Sequence, residues 1–98
     1  MNNTVYREFG EGWYELFEQM LVELQPYDIN IIQAKEKYGS LRVYYSGQYD
    51  KEIDKIIEKY EKLSMTICEE CGKSGNLRTD LSWNQTLCNE CYNKVTLK

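Results

Sequence analysis

CEECGKSGNLRTDLSWNQTLCNEC, residues 68–91, holds all four cysteines of a 98-residue chain that has no histidine. Cys68 and Cys71 form one C-x2-C pair, Cys88 and Cys91 form the other, and the stretch between them has the length expected of a zinc site. Two residues between thiolates let one tight turn aim both sulfurs at a single ion, and two such turns complete a tetrahedron of soft ligands. Gly72, directly after the second cysteine, is free to take the left-handed backbone that such a turn often demands. The spacing therefore predicts one structural Zn2+ on Cys68, Cys71, Cys88 and Cys91. Two disulfides or a thiol redox pair are the alternatives, and both suit an exported chain better. The amino-terminal MNNTVYREFGEGW lacks the charged start and apolar run of an export signal, so a cytoplasmic location is expected.

Between the cysteine pairs, NLRTDLSWNQTL reads as a β-hairpin turning around Asp80 to Gln85, and NECYNKV begins a helix. A turn, a hairpin and a helix carrying the second ligand pair is the treble-clef arrangement. TLCNECY, residues 86–92, resembles the second half of GATA-type and related fingers, a likeness that concerns shape alone. Four protein thiolates leave zinc no open position for water. Without histidine, the imidazole bases of treble-clef nucleases and of serine triads cannot be assembled either. The expected protein is not an enzyme.

Could this finger grip DNA? From residue 68 onward, Lys73, Arg78, Lys94 and Lys98 face Glu69, Glu70, Asp80 and Glu90, which makes the finger neutral at best. The whole chain carries 12 basic and 16 acidic residues, a net charge of -4, which opposes the phosphate attraction behind most nucleic-acid affinity. Arg78 and Trp83 are the residues through which the finger would touch a nucleic acid. The plainer reading has Trp83 covering the zinc turn and Arg78 in solvent.

Working upstream, Trp13, Leu16, Phe17, Met20 and Leu24 form a helical stripe that Pro26 stops at about Gln25. INIIQAKEKYGSLRVYYSG is rich in β-branched and aromatic residues around a Tyr38-Gly39-Ser40 break, which predicts a two-stranded hairpin. Ile53, Ile56, Ile57, Tyr60 and Leu63 then mark one face of a second helix, with Glu58 and Lys62 paired at i, i+4 on another. The expected fold class is α+β: a helix-strand-strand-helix module over residues 1–66, and the four-cysteine treble-clef-like finger over residues 67–98. A chain this short buries a modest core, and no apolar run reaches the roughly 18 residues of a membrane helix.

Glu8, Glu11, Glu15, Glu18, Glu23 and Asp28 occur with no lysine or arginine among them, which predicts an acidic outer face on the first helix. Such a face is most often plain solvated surface; the sharper alternative is a surface aimed at a basic partner. The hairpin differs. If Leu41, Val43 and Tyr45 point to the helices, alternation sends Arg42 and Tyr44 to the other side, where Lys35 joins them. Lys35, Lys37, Tyr38, Arg42 and Tyr44 make a basic and aromatic island in a chain with nine tyrosines, and such residues are enriched in protein interfaces. The alternative is an Arg42 paired with a nearby glutamate and a Tyr44 that finishes the core.

GEGWYELFEQML, IIQAKEKYGSLRVYYSG and the cysteine motif together resemble a family of small bacterial and phage proteins. Its members share a G-W-Y helix start, a K-E-K-[FY]-G-x-L-R-[FV]-Y hairpin and a terminal zinc motif. The matching positions are Trp13, Lys35, Glu36, Lys37, Tyr38, Gly39, Leu41, Arg42 and Tyr44, with the cysteines. The resemblance spans about Gly10 to Cys91; it departs at the fourth ligand, a histidine in many relatives and Cys91 here. A thiolate replaces an imidazole readily at a structural site. The resemblance implies an architecture and a bacterial or phage setting, and no particular activity. The combined expectation is a non-enzymatic, zinc-stabilised protein that binds a partner, most simply a protein. From a phage, it would act as an inhibitor or modulator of a host enzyme or defence system. The competing class is a nucleic-acid-binding regulator using the finger with Lys35, Lys37 and Arg42.

Overall fold

The structure, a computed structural model, describes residues 7–96. Its fold is α+β, with three α-helices and two small sheets. In chain order these are β1 (Arg7–Glu8), α1 (Tyr14–Leu24), β2 (Ile29–Lys37), β3 (Ser40–Gly47), α2 (Lys51–Ser64), β4 (Asn76–Arg78), β5 (Gln85–Leu87) and α3 (Asn89–Thr96). A single 3-10 turn over Glu11–Trp13 leads into α1.

The apolar period of α1 buries Leu16, Phe17, Met20, Leu21 and Leu24. Its end is set by Pro26: after Leu24 the chain closes in a turn, with Tyr27 N donating to the Leu24 carbonyl at 3.0 Å. The β2–β3 connection is a two-residue turn in which Tyr38 (φ 56) and Gly39 (φ 83) are both left-handed, the geometry that matches strand twist. Glu36 steadies it by accepting from Gly39 N at 2.8 Å. α2 starts on Asp50, whose carboxylate accepts from Glu52 N at 2.8 Å.

Sheet alternation places Leu41 and Val43 in the core and turns Arg42 and Tyr44 outward, as the pattern requires. Tyr45 packs its ring on the core and donates its hydroxyl to Asp54 of α2 at 2.8 Å. α1 and α2 cover one face of this sheet; Trp13, Phe17, Met20, Leu24, Ile29, Leu41 and Ile53 are the bulkiest parts of the resulting core.

Three features depart from the expected helix-strand-strand-helix module. First, the sheet has three strands, because β1 adds in parallel to β2 with Arg7 opposite Ala34 and Glu8 opposite Lys35. Second, the register slips between Ile31 and Gln33, leaving Ile32 as the extra residue, 59% exposed. Third, the inward stripe of α2 ends on Ser64, fully buried, while Leu63 is 41% exposed. The reason lies at the free edge of β3. Its Leu41 N–H donates to Ser64 Oγ at 2.8 Å and its Val43 N–H to Glu61 Oε2 at 3.0 Å. An edge strand needs acceptors for those groups, and the last turns of α2 supply them. Burial raises the Glu61 carboxyl above the usual carboxylate range, against the opposing Val43 N–H.

The first helix is less acidic in effect than its composition. Arg7 lies over the rings of Tyr14 and Phe17 and pairs with Glu18, while Lys59 holds Glu23 at 2.8 Å. Among the described residues, Glu11 and Glu15 keep no ion-pair partner.

Candidate metal centre

Beyond α2 the chain forms a second, much smaller core of Cys68, Leu87 and Cys88, flanked by Leu81, Cys91 and Tyr92. So little apolar burial calls for another source of stability. The first pair sits on a tight turn: Gly72 N donates to the Cys68 carbonyl at 2.9 Å, Cys68 N donates to the Lys73 carbonyl at 2.7 Å, and Gly72 is left-handed at φ 84. An antiparallel bridge between Ile67 and Ser74 closes the turn. The second pair straddles the junction of β5 and α3, where Cys91 N points at Cys88 Sγ at 3.4 Å and Tyr92 N donates to the Cys88 carbonyl at 2.9 Å. Antiparallel pairing of Asn76–Arg78 with Gln85–Leu87 brings the two pairs together.

All four Sγ atoms lie within 4.8 Å of one another, and all four cysteines are free. Cys71 and Cys88 approach to 3.6 Å, close to the edge of about 3.8 Å for a tetrahedron with metal–sulfur bonds near 2.3 Å. The cluster can hold a metal ion. Its electrostatics fit that role. Cys88 is drawn down to about 7, chiefly by the Cys91 N–H. Cys68 also falls below the ordinary thiol range: burial pushes it up, but the N–H groups of Cys88, Cys71 and Glu70 outweigh this. For Cys71 the Lys73 N–H pulls downward, but desolvation and then its sulfur neighbours Cys88 and Cys68 outweigh it and the thiol rises; Cys91 rises through burial and the other three sulfurs. Four adjacent thiolates repel one another, and a divalent cation at their centre removes that conflict.

This unit is fitted directly onto the start of α1. Trp13, wholly buried, donates its indole N–H to the Ile67 carbonyl at 2.8 Å, and Gly12 N donates to the Glu69 carbonyl at 2.9 Å. A Cβ on Gly12 would stand 2.1 Å from the Cys68 carbonyl oxygen, and one on Gly10 would stand 2.2 Å from that of Glu69. The tip of the β2–β3 hairpin is held from the other side, where Thr86 Oγ1 donates to the Gly39 carbonyl at 2.6 Å. Glu69, buried in this seam, accepts from Thr86 N at 3.1 Å, and desolvation pushes its carboxyl up to about 7.

The structure gathers the four cysteines and separates them from the hairpin island. Lys35 and Arg42 face each other across the strands on the side the helices leave open. The Lys35 ammonium lies 5.7 Å from the Tyr44 ring centroid, and that of Lys37 lies 5.6 Å from the Tyr38 ring. Tyr38 is 66% exposed and Tyr44 42%. Arg42 donates to Ser40 Oγ at 3.0 Å and borders a groove with Glu58, Glu61 and Lys62. Among the described residues, none of these three cations forms an ion pair.

Two finger residues contradict their plainer reading. Trp83 does not cover the metal turn; it is 61% exposed in the β4–β5 loop, because Leu87 and Cys68 already fill that small core. Arg78 is not loose in solvent. It stacks 4.3 Å from the Tyr92 ring and donates to the Leu87 carbonyl and to Asn89 Oδ1 at 3.2 and 2.8 Å. The role of Gly10 and Gly12 at the finger seam was missed from sequence. The G-x-G spacing ahead of Trp13 is its only trace, since close backbone approach from residues so distant in the chain leaves no periodic signal.

No protein-family model, curated protein or solved structure matches this chain. The likeness built on Trp13, the 35–44 motif and the cysteines stands on those residues alone. No helix among the described residues is long and apolar enough to cross a membrane.

Proposed function

We propose that the chain is a zinc-stapled, non-enzymatic binding protein whose outer hairpin face docks on an acidic surface of a partner protein. The observation that carries this reading is the uncovered sheet face, where Lys35, Lys37 and Arg42 stand beside Tyr44 and Tyr38 and none of the three forms an ion pair among the described residues, although Arg42 also borders Glu58 and Glu61. Like charges placed opposite each other across strands cost stability, and a partner carboxylate offsets that cost. Tyrosine and arginine presented together suit the centre of an interface.

The metal in this reading is zinc, bound once, by Cys68, Cys71, Cys88 and Cys91 in a treble-clef finger. A metal turn, a short hairpin and a helix carrying Cys91 in its first turn support that assignment. A closed set of four thiolates suits a structural ion, and a chain without histidine has few groups for acid–base work at neutral pH.

An open sheet face with two exposed tyrosines among cations also suits stacking of single-stranded nucleic acid, and this is the second reading. The net charge of -4 weighs against it. Affinity capture at moderate salt decides between them. A protein partner retained by the native chain, resistant to nuclease and lost with Lys35→Ala, Arg42→Ala and Tyr44→Ala combined supports the proposal. Nuclease-sensitive capture, or binding to single-stranded oligonucleotides that falls steeply with salt, overturns it in favour of the second reading.

A further inference from the structure

The β4–β5 loop and α3 enclose a groove of about 340 Å³ lined by Glu70, Leu81, Ser82, Trp83, Gln85 and Val95. We propose that this groove takes an apolar segment of a partner protein that carries an arginine or lysine. It lies on the finger and is independent of the hairpin face proposed above.

The two tryptophans of the chain are used in opposite ways. Trp13 is sealed in the core, whereas Trp83 leaves 61% of its surface in water, beside a Val95 that is 40% exposed. The loop does not present Trp83 by default. Its base is tied to α3, because Tyr92 donates its hydroxyl to Asp80 and Arg78 is clasped between the Tyr92 ring and Asn89. A loop held at its base leaves less backbone to order when a partner covers the uncovered indole.

Charge decides which partner fits. Glu70 lines the groove and, among the described residues, has no ion-pair partner. Among the described residues no lysine or arginine lines it; Arg78 is engaged as described, Lys73 pairs with Glu90 at 3.7 Å, and Lys94, beside Val95 in the chain, lies outside the lining. An indole face beside a free carboxylate attracts a guanidinium or ammonium group, while Leu81 and Val95 receive the apolar residues next to it. An acidic segment would set its charge against Glu70, the charged residue of the lining.

The two indole N–H groups give separate signals in an NMR titration of the metal-loaded chain, and that of Trp13, bonded to Ile67, reports whether the fold is intact. A short peptide of alternating leucine and arginine should shift the Trp83 indole signal saturably, and the same peptide with glutamate for arginine should not. By calorimetric titration with the same peptide, Trp83→Ala should weaken binding at least about 30-fold and Glu70→Gln about 5-fold, with the Trp13 indole signal of each variant unmoved. Equal response to both peptides, or shifts centred on the hairpin face, would overturn the assignment. So would concentration-dependent broadening of the Trp83 signal without peptide, reversed on dilution, because the groove would then be an interface between two copies.

Discussion

Gly12→Ala adds a single methyl group at a solvent-near turn, yet it should be among the most damaging small changes available in this chain. The new Cβ would stand 2.1 Å from the Cys68 carbonyl oxygen, 2.6 Å from the Glu69 carbonyl carbon and 2.7 Å from Gly72 N. All three are backbone atoms of the metal turn, so no side chain can swing aside. Restoring ordinary contact requires the turn to withdraw by roughly 1 Å, and such overpacking costs about 1–3 kcal/mol. The withdrawal also stretches the Gly12 N–H bond to the Glu69 carbonyl, worth about 1 kcal/mol. Stiffening of the unfolded chain returns about 0.4–1 kcal/mol. The net loss is about 1–3.6 kcal/mol, which for a domain of this size lowers the melting temperature by about 4–29 °C. Because the displaced carbonyl belongs to a candidate metal ligand, affinity for the ion should fall by about 2- to 20-fold, as half of that strain released on metal loss would give. Thermal denaturation followed by circular dichroism at fixed free zinc, together with competition against a chromophoric chelator, measures both effects. Glu11→Ala, between the two glycines and exposed, is the control and should stay within about 0.5 kcal/mol of the parent. A Gly12→Ala chain that melts within about 2 °C of the parent and binds metal equally well would refute the docking of the metal turn on α1.

Glu61→Ala removes the acceptor for Val43 N–H and opens the β3 edge. It should cost about 1–3 kcal/mol by chemical denaturation and raise the tendency to aggregate on warming; an unchanged midpoint would mean the edge finds another acceptor. Alkaline titration followed by tyrosinate absorbance should show Tyr45 and Tyr60 ionising last, since burial and the bonds to Asp54 and Glu23 raise both to about 12. The stability they contribute is fully present below the unfolded tyrosine value near 10 and is lost as pH climbs through about 12, so unfolding well below pH 10 would contradict this. Chelation of the metal should release more than the finger: amide exchange at Gly12 and at Gly39 should quicken along with that at Cys68, because the Ile67–Glu69 carbonyls and Thr86 hold both the start of α1 and the hairpin tip. Exchange confined to residues beyond 66 would show the two parts to be uncoupled.

Much of this was legible where the chain repeats a local rule. The 3.6-residue period of Leu16, Phe17, Met20 and Leu24, the stop at Pro26, the Tyr38-Gly39 turn and the paired cysteines each depend on neighbours a few positions away. What stayed hidden depends on distant partners. β1 is two residues long and exists because β2 offers it a parallel edge, and Ser64 is buried because β3 needs an acceptor. Leu63 and Ser64 compete for the inward position at the end of α2, and hydrophobicity alone selects the wrong one. Trp83 misled for a related reason: its size suggests burial, but the finger core is already filled by Leu87 and the cysteines. Gly10 and Gly12 carry a tertiary contact that nothing adjacent in sequence announces.

The mass of the intact chain, purified without added metal and sprayed under native conditions, tests the central claim in a single measurement. One zinc ion per chain, retained by the parent and lost with Cys88→Ser, is the expected result. A bare chain lighter by the hydrogens of two disulfides, or one carrying no metal with all its thiols intact, would contradict it.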